Sequence, residues 1–259
     1  MSAIPHVMGL PLALLLFAAM WIGACLTSFG RVAVFRLPHQ MGWREDPEPN
    51  LTLCSPPSRC DACHTRISKW HLLPIFGWFF AKGRCRSCKM SISILHPMFE
   101  LIGGIGWIAA LLYFGFTVEG LAACLLWQVL LFLAEIDWRE TWLPAVVTLP
   151  TFWVGLLFSP FTLSIEESAW GAFIGFFTMW LSMAVVGRLK KMNVFAGGDI
   201  ALACAAGAWI GIDKMPIFLF GTAVIFILMA LPARLRGRIM VPMGPALAIA
   251  FLICIVLPK

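Results

Sequence analysis

The sequence predicts an all-α polytopic membrane protein with about eight transmembrane segments and a cytoplasmic, zinc-ribbon-like loop between the first two. The chain is 61% hydrophobic and 12% charged, whereas a soluble domain has roughly 25% charged residues. Several apolar stretches reach the ~17–25 residues that a helix needs to cross a bilayer. The one long polar stretch carries four paired cysteines. A soluble helical protein is a poor alternative, because too few polar residues would remain to cover its core.

Eight apolar segments are predicted, and the sixth is the weakest because it is short, rich in Ala and Gly, and headed by an Asp. It is alternatively a half-helix or a re-entrant element, which membranes tolerate where it lines a cavity. Residues 1–28 are predicted as the first transmembrane helix, 29–96 as the cytoplasmic loop, and 97–259 as a transmembrane catalytic bundle. The predicted segments are 8–28, 97–116, 120–137, 144–163, 168–187, 197–212, 216–232 and 241–258.

The distribution of positive charge predicts the orientation. If the N-terminus lies outside, the cytoplasmic loops hold 17 of the 19 Lys and Arg residues, including RLKK at 188–191 and RLRGR at 234–238. Only Lys214 and Lys259 fall elsewhere. This asymmetry follows the positive-inside rule. The basic loops therefore have a topological explanation, and no nucleic-acid partner is expected. The cytoplasmic loops predicted in this way are 29–96, 138–143, 188–196 and 233–240.

The first segment is predicted to be a permanent helix. Residues 1–7 contain no Lys or Arg, whereas a secretory signal begins with a basic region. The stretch Ile22-Gly23-Ala24-Cys25 loosely resembles a lipoprotein cleavage box, but the positive charges follow the apolar run instead of preceding it.

Two C-x-x-C pairs in the long loop predict a metal site. They are Cys60 with Cys63 and Cys85 with Cys88, separated by 21 residues. Each pair can place two thiolates on one tight turn, and two such turns complete a tetrahedral zinc site. The apolar stretch LLPIFGWFF would form the tip of a hairpin between the pairs. The sequence therefore predicts a structural zinc ion held by four cysteines.

Alternatives to that zinc site remain open at the level of sequence. A disulfide is disfavoured in a reducing cytoplasm, and a redox role is a further alternative. Cys54 and His64 are possible substitute ligands. The cysteines in apolar segments are predicted to be packing residues, because a free Cys behaves as a small hydrophobe.

Asp137 and Asp199 are the candidate catalytic residues. Each lies at the edge of an apolar segment, and a carboxylate at membrane depth costs roughly 2.5–3.5 kcal/mol, so it is a functional hypothesis by default. The predicted topology places both at the cytoplasmic face, where the pair could share a proton and activate a water. The alternatives are an interfacial charge or helix cap at Asp137 and an N-cap at Asp199. Glu135 is a rival carboxylate on a different helix face.

Other hydrolase and nucleotide-binding motifs are absent from the sequence. It contains no H-E-x-x-H, G-x-S-x-G, Walker A or dinucleotide-binding glycine motif. Among protease chemistries, the remaining candidates are carboxylates.

Four blocks of the chain resemble the type IV prepilin peptidases, also called prepilin leader peptidase/N-methyltransferases, which are aspartic proteases of bacterial inner membranes. Their order and spacing also match, and the resemblance runs along nearly the whole chain. The resemblance implies that Asp137 and Asp199 are the catalytic pair. The blocks are TSFGRVAVFRLP at 27–38, the cysteine-bearing region at 58–104, EIDWRETWLPAVVTLP at 135–150 and AGGDIALACAAGAWIG at 196–211.

The chain departs from the family pattern at three positions. Ala145 stands where the family usually has Asp, Ala196 replaces the first Gly of G-x-G-D, and Ala201 replaces a Lys. Both catalytic carboxylates remain. The departures bear on substrate preference and on the positioning of Asp199.

The resemblance further implies substrates and a second activity. The substrates would be prepilins or pseudopilins, cleaved at the cytoplasmic membrane face. The cysteine-bearing loop implies N-methylation of the new N-terminus with S-adenosylmethionine. Gly197 and Gly198 are predicted to let backbone approach the substrate, because Gly adopts conformations closed to other residues.

Two rival functions follow from the same residues. In a zinc-sensing transporter or membrane interaction protein, the aspartates would line an ion path and the cysteines would sense metal. In a zinc-dependent protease, cleavage would require the four cysteines. The oligomeric state is not predicted.

Overall fold

The computed structural model of the chain describes residues 6–7, 9–48, 50–191, 195–237 and 240–258. Met8 of the first predicted segment and residues 49, 192–194 and 238–239 of the predicted loops lie outside this part of the chain, as do the first five residues and Lys259.

The predicted helical class is confirmed. In the described part, the regular structure is helical apart from two two-residue strands, β1 (His6–Val7) and β2 (Leu10–Pro11), which pair antiparallel. A short 3-10 helix, Lys69–Leu72, precedes the small helix α2. The helices are α1 (Leu12–Gln40), α2 (Phe76–Phe80), α3 (Leu95–Phe114), α4 (Val118–Glu140), α5 (Ala145–Phe158), α6 (Ile165–Lys190), α7 (Gly197–Ile210), α8 (Met215–Leu235) and α9 (Gly244–Val256).

Each of the eight predicted segments overlaps one helix, but the helices fall into two length classes. Five described helices, α1, α3, α4, α6 and α8, are long and apolar enough to cross a membrane. The other three, α5, α7 and α9, have 14, 14 and 13 residues. At 1.5 Å per residue they are about 20 Å long, less than the ~30 Å of a hydrocarbon core. The multi-pass character is therefore evident, and the count of eight spans stays a prediction.

The chain divides into two compact units, Met1–Gln128 and Val129–Lys259. In the first, α1 packs closely on α3 through small residues. A Cβ at Gly103 would collide with the Thr27 side chain, and a Cβ at Gly104 would lie 2.6 Å from the Met20 carbonyl oxygen. The Thr27 hydroxyl also pairs with Gln128 of α4. Such contacts of small residues are how membrane helices approach one another.

In the second unit, the short helix α7 is largely enclosed by its neighbours. Nine of its residues are buried, and Leu202, Ala203 and Ala206 have no exposed surface. Gly171 and Gly175 of α6 lie against its backbone, so a Cβ at Gly171 would collide with the Gly207 carbonyl oxygen. Because α7 consists largely of Ala and Gly, its neighbours pack directly on its backbone.

Local signals explain the start of α6. The Ser164 hydroxyl accepts the Glu167 N–H at 3.2 Å, and the Glu167 carboxylate accepts the Leu163 N–H at 2.8 Å. This reciprocal arrangement resembles a capping box, which satisfies N–H groups that lack partners at a helix start. Arg188 and Lys190 lie in the last turn, where positive charge is favourable.

The close packing of α6 on α7 predicts that Gly207→Ala destabilises the protein. The new methyl group would collide with the Gly171 backbone, and overpacking of this kind costs about 1–3 kcal/mol. Thermal unfolding in detergent should show a lower midpoint. The matched control is Gly221→Ala in α8, whose Cβ would meet only the Ala250 Cβ at 3.8 Å. Equal midpoints for the two variants would contradict this packing.

Candidate functional site

Asp137 is a buried carboxylate near the end of α4. It is 5% exposed, and its Oδ2 accepts the backbone N–H of Gly244, the first residue of α9, at 2.7 Å. A carboxylate at a helix N-terminus is favoured by the N–H groups and partial positive charge there. Asp137 lies within α4, and α5 has Pro144 at its N-cap. Asp137 is therefore not the cap of the next helix, and the alternative of an interfacial charge stays open.

Gly244 leaves no room for a side chain beside Asp137. A Cβ at this position would lie 2.7 Å from Asp137 Oδ2 and 2.9 Å from its Cβ. Sequence reasoning did not single out this residue. The Gly-Pro pair at 244–245 indicates a helix start, but no local pattern connects it to a carboxylate 107 residues away.

Asp199 lies in the first turn of α7, two residues after its first residue, Gly197. The charge of Asp137 acts on the Asp199 carboxyl, so the two side chains that sequence reasoning paired lie close enough to interact. The alternative of an N-cap at Asp199 is wrong, because α7 begins at Gly197 and its N-cap is Ala196.

Glu135, the rival carboxylate, is engaged elsewhere. Its buried side chain forms an ion pair with Arg139, one turn along α4, at 2.9 Å. The pair places the Glu135 charge beside a cation on its own helix.

Gly197 and Gly198 both have helical backbone in the first turn of α7. Other residues adopt this helical conformation as readily, so the prediction that these positions need the conformational freedom of glycine is not supported. A Cβ at Gly198 would lie 2.7 Å from the Leu143 Cβ, whereas one at Gly197 would meet only the Phe195 ring at 3.7 Å. Gly198 thus permits close packing on Leu143, and a role in binding substrate stays a prediction for both.

Cys60 and Cys63 lie on a tight turn in the loop between α1 and α3. The Cys60 N–H donates to the Thr65 carbonyl at 3.0 Å, and the His64 N–H donates to the Cys60 carbonyl at 2.9 Å. His64, directly after the second cysteine, has a left-handed backbone with φ of 55°.

Cys85 and Cys88 repeat this turn. The Cys85 N–H donates to the Met90 carbonyl at 2.8 Å, and the Lys89 N–H donates to the Cys85 carbonyl at 3.0 Å. Lys89 matches His64 with φ of 63°. Each turn is flanked by a single antiparallel bridge, Arg59 with Arg66 and Arg84 with Ser91.

The four sulfurs converge into one group, the four-cysteine cluster (Cys60, Cys63, Cys85 and Cys88), within 4.8 Å of one another. The Sγ atoms of Cys60 and Cys88 are 3.7 Å apart, and those of Cys63 and Cys85 are 3.8 Å apart. Four thiolates around a tetrahedral zinc at ~2.3 Å would be about 3.8 Å apart. The cluster could therefore hold zinc. All nine cysteines are free, and neither Cys54 nor His64 belongs to the cluster.

Hydrogen bonds favour the metal-binding form of two of these thiols. Hydrogen bonds with the side chain and backbone of Thr65 lower the pKa of the Cys63 thiol to about 6. Hydrogen bonds with the backbones of Cys88 and Ser87 lower the pKa of the Cys85 thiol. Because the thiolate is the form that binds metal, the Cys63 and Cys85 thiols, one in each turn, are prepared for a cation.

Comparison with known proteins identifies the family. Residues 21–114 match the bacterial peptidase A24 N-terminal domain, and residues 124–231 match the type IV leader peptidase family. No solved structure matches the chain.

Curated relatives named prepilin leader peptidase/N-methyltransferase extend this match along the chain. The protein from Neisseria gonorrhoeae is 30% identical over 88% of this chain and 86% of its own length. The one from Stutzerimonas stutzeri is 31% identical over 93% and 89% of the two chains. The one from Dickeya chrysanthemi is 32% identical over 78% and 76%. The family predicted from four sequence blocks is confirmed: the chain belongs to the type IV leader peptidase family.

Proposed function

We propose that this chain is a membrane aspartic endopeptidase that removes the leader peptide of type IV prepilins or pseudopilins and methylates the new N-terminus. The observation that supports the peptidase proposal is that Asp137 and Asp199, on different helices of one compact unit, lie close enough for their charges to interact. Family membership supports the substrate class and the second activity.

Two neighbouring carboxyls provide the chemistry for peptide hydrolysis. Like charges this close disfavour joint ionisation, so the pair holds one proton. The ionised member takes a proton from water, whose oxygen attacks the scissile carbonyl carbon, while the protonated member polarises the carbonyl oxygen. The C–N bond then breaks, and the leaving amine takes a proton. The titration belongs to the pair, so neither aspartate alone is assigned as base.

Gly244 acts as a positioning residue in this proposal. Its N–H holds one oxygen of Asp137 at 2.7 Å and thereby orients the carboxylate.

The proposed topology has eight spans, an outside N-terminus and the carboxyl pair at the cytoplasmic face of a bacterial inner membrane. It rests on the distribution of Lys and Arg. A prepilin leader is cytoplasmic in this family, so this orientation brings the cleavage site and the aspartates to one side.

We propose two cofactors, zinc and S-adenosylmethionine, and assign binding residues only to zinc. The four-cysteine cluster would hold structural zinc, which would tie the two turns of the loop together. S-adenosylmethionine would supply the methyl group for the new N-terminal amine. We assign no residue to its binding.

Replacing either aspartate should abolish cleavage. Asp137→Asn and Asp199→Asn each remove the shared proton chemistry, and we expect cleavage of a prepilin to fall by about 10²–10⁴-fold or more. Mass measurement of the mature N-terminus reports cleavage and shows whether a methyl group was added. Asp213→Asn, at an exposed carboxylate of the same unit, is the control with unchanged activity. If the chain were a transporter, Asp137→Asn would instead leave prepilin processing intact and alter ion flux.

A side chain at Gly244 should impair catalysis through Asp137. In Gly244→Ala the methyl group displaces a carboxylate that lies 2.7 Å from it. Such a misplacement costs on the order of 10–100-fold in kcat, with KM nearly unchanged. Steady-state kinetics in detergent measures this, and Gly221→Ala is again the control. A rise in KM alone, with normal kcat, would show that Gly244 acts on substrate binding instead.

Purified protein should contain one zinc ion per chain, held by the four-cysteine cluster. Elemental analysis should show that Cys60→Ser combined with Cys88→Ser loses zinc, whereas Cys54→Ser, outside the cluster, retains it. The folded part of the double variant should still cleave leader peptide. Cleavage that falls in proportion to zinc content would support the zinc-dependent protease instead.

A further inference from the structure

The loop that carries the four-cysteine cluster has an apolar tip, residues 70–81, with the sequence WHLLPIFGWFFA. It contains no Asp, Glu, Lys or Arg, and it lies between Lys69 and Lys82. Trp70, Phe79 and Phe80 are 72%, 58% and 60% exposed. Three exposed aromatic side chains in one short loop, flanked by basic residues, are unusual for a loop in water.

The tip lies against α1, on the apolar side of the first charge of that helix. Phe76 contacts Trp21, with ring centroids 5.9 Å apart. The first charge of α1 is Arg31, whose guanidinium reaches the Leu95 carbonyl at the start of α3. Trp21 precedes Arg31 by ten residues, which is about 15 Å along the helix axis. If Arg31 marks the bilayer surface, Phe76 lies near the bilayer centre.

A second contact, with α3, places the tip at a similar level. The Ile75 N–H donates to Glu100 Oε2 at 2.6 Å. Glu100 is buried and lies five residues after Leu95, about 7 Å further along the axis. Both membrane helices therefore meet the tip on the apolar side of Arg31.

The backbone of the tip is suited to a place without water. The Ile75 N–H has Glu100 as its acceptor, the Gly77 N–H donates to the Leu73 carbonyl at 2.7 Å, and Pro74 has no N–H. Ile75 has φ of 63°, an uncommon conformation for a β-branched residue, and the Glu100 hydrogen bond holds it there. Irregular backbone at membrane depth requires such internal partners.

We infer that residues 70–81 form a re-entrant element that inserts beside α1 and α3 into the leaflet at the Arg31 end of α1, with lipid acyl chains as its partner. Lys69 and Lys82 then lie where they reach the headgroup layer. In the proposed topology this is the cytoplasmic leaflet. The insertion ties the four-cysteine cluster to the membrane surface.

Photo-crosslinking in liposomes tests the insertion. A benzophenone amino acid replaces Phe79 in the full chain, reconstituted into phosphatidylethanolamine and phosphatidylglycerol. Irradiation should give phospholipid adducts by mass spectrometry. The same probe at Met41, 53% exposed and ten residues beyond Arg31, should give several-fold fewer. Equal yields, or adducts with a second protein copy, would overturn the inference. A probe at Phe80 replaces the first if that variant fails to retain zinc.

The Glu100 contact supplies a matched pair of variants. With the probe at Phe79, Glu100→Gln keeps an acceptor for the Ile75 N–H and should retain the lipid adducts, whereas Glu100→Ala should lower their yield several-fold. Equal yields would contradict the role of Glu100 in holding the tip. The readout does not require peptidase activity, so Asp137→Asn should leave the adducts unchanged even if the proposed function failed.

Discussion

The need to pair every charge and backbone polar group inside an apolar structure shapes this protein. A bilayer offers no water, so each such group requires a partner in the chain. Three buried carboxylates have partners that show how this is met: Asp137 accepts an N–H from Gly244, Glu100 accepts one from Ile75, and Glu135 pairs with Arg139. Two of these partners are backbone N–H groups at points where the chain turns or a helix begins. Two of the buried carboxylates therefore lie where the backbone has a free N–H group to donate.

The same requirement explains why a short helix can occupy the centre of the second unit. α7 is too short to span a bilayer alone, but it is surrounded by other helices, and Trp209 donates its indole N–H to the Thr151 carbonyl at 2.8 Å. Its Ala and Gly residues let α6 approach to backbone contact. Because α7 begins at Gly197, Asp199 lies at the end of a rigidly packed element. A side chain placed on such an element keeps its position better than one on a loop.

Much of this architecture could be predicted from the sequence, since apolar runs and C-x-x-C spacing are local signals. The ends of the short helices could not. The predicted segment 144–163 continues past Phe158 because apolar residues follow it, whereas the helix ends before Ser159 and Pro160. The contact of Gly244 with Asp137 joins residues 107 apart, and no local pattern encodes it. The apolar tip was visible as composition, but its depth depends on Trp21 and Glu100, which lie on other helices.

The three departures from the family pattern are easier to understand in the structure. Ala196, the N-cap of α7, has φ of −113° and ψ of 89°, a conformation open to any L-residue. The missing glycine therefore imposes no strain before Asp199. Ala145 is the exposed first residue of α5, and Ala201 lies in the second turn of α7. Compared with the family pattern, Ala145 removes a negative charge and Ala201 removes a positive one. The polar surroundings that remain for these two aspartates are the Gly244 N–H at Asp137 and the first turn of α7 at Asp199.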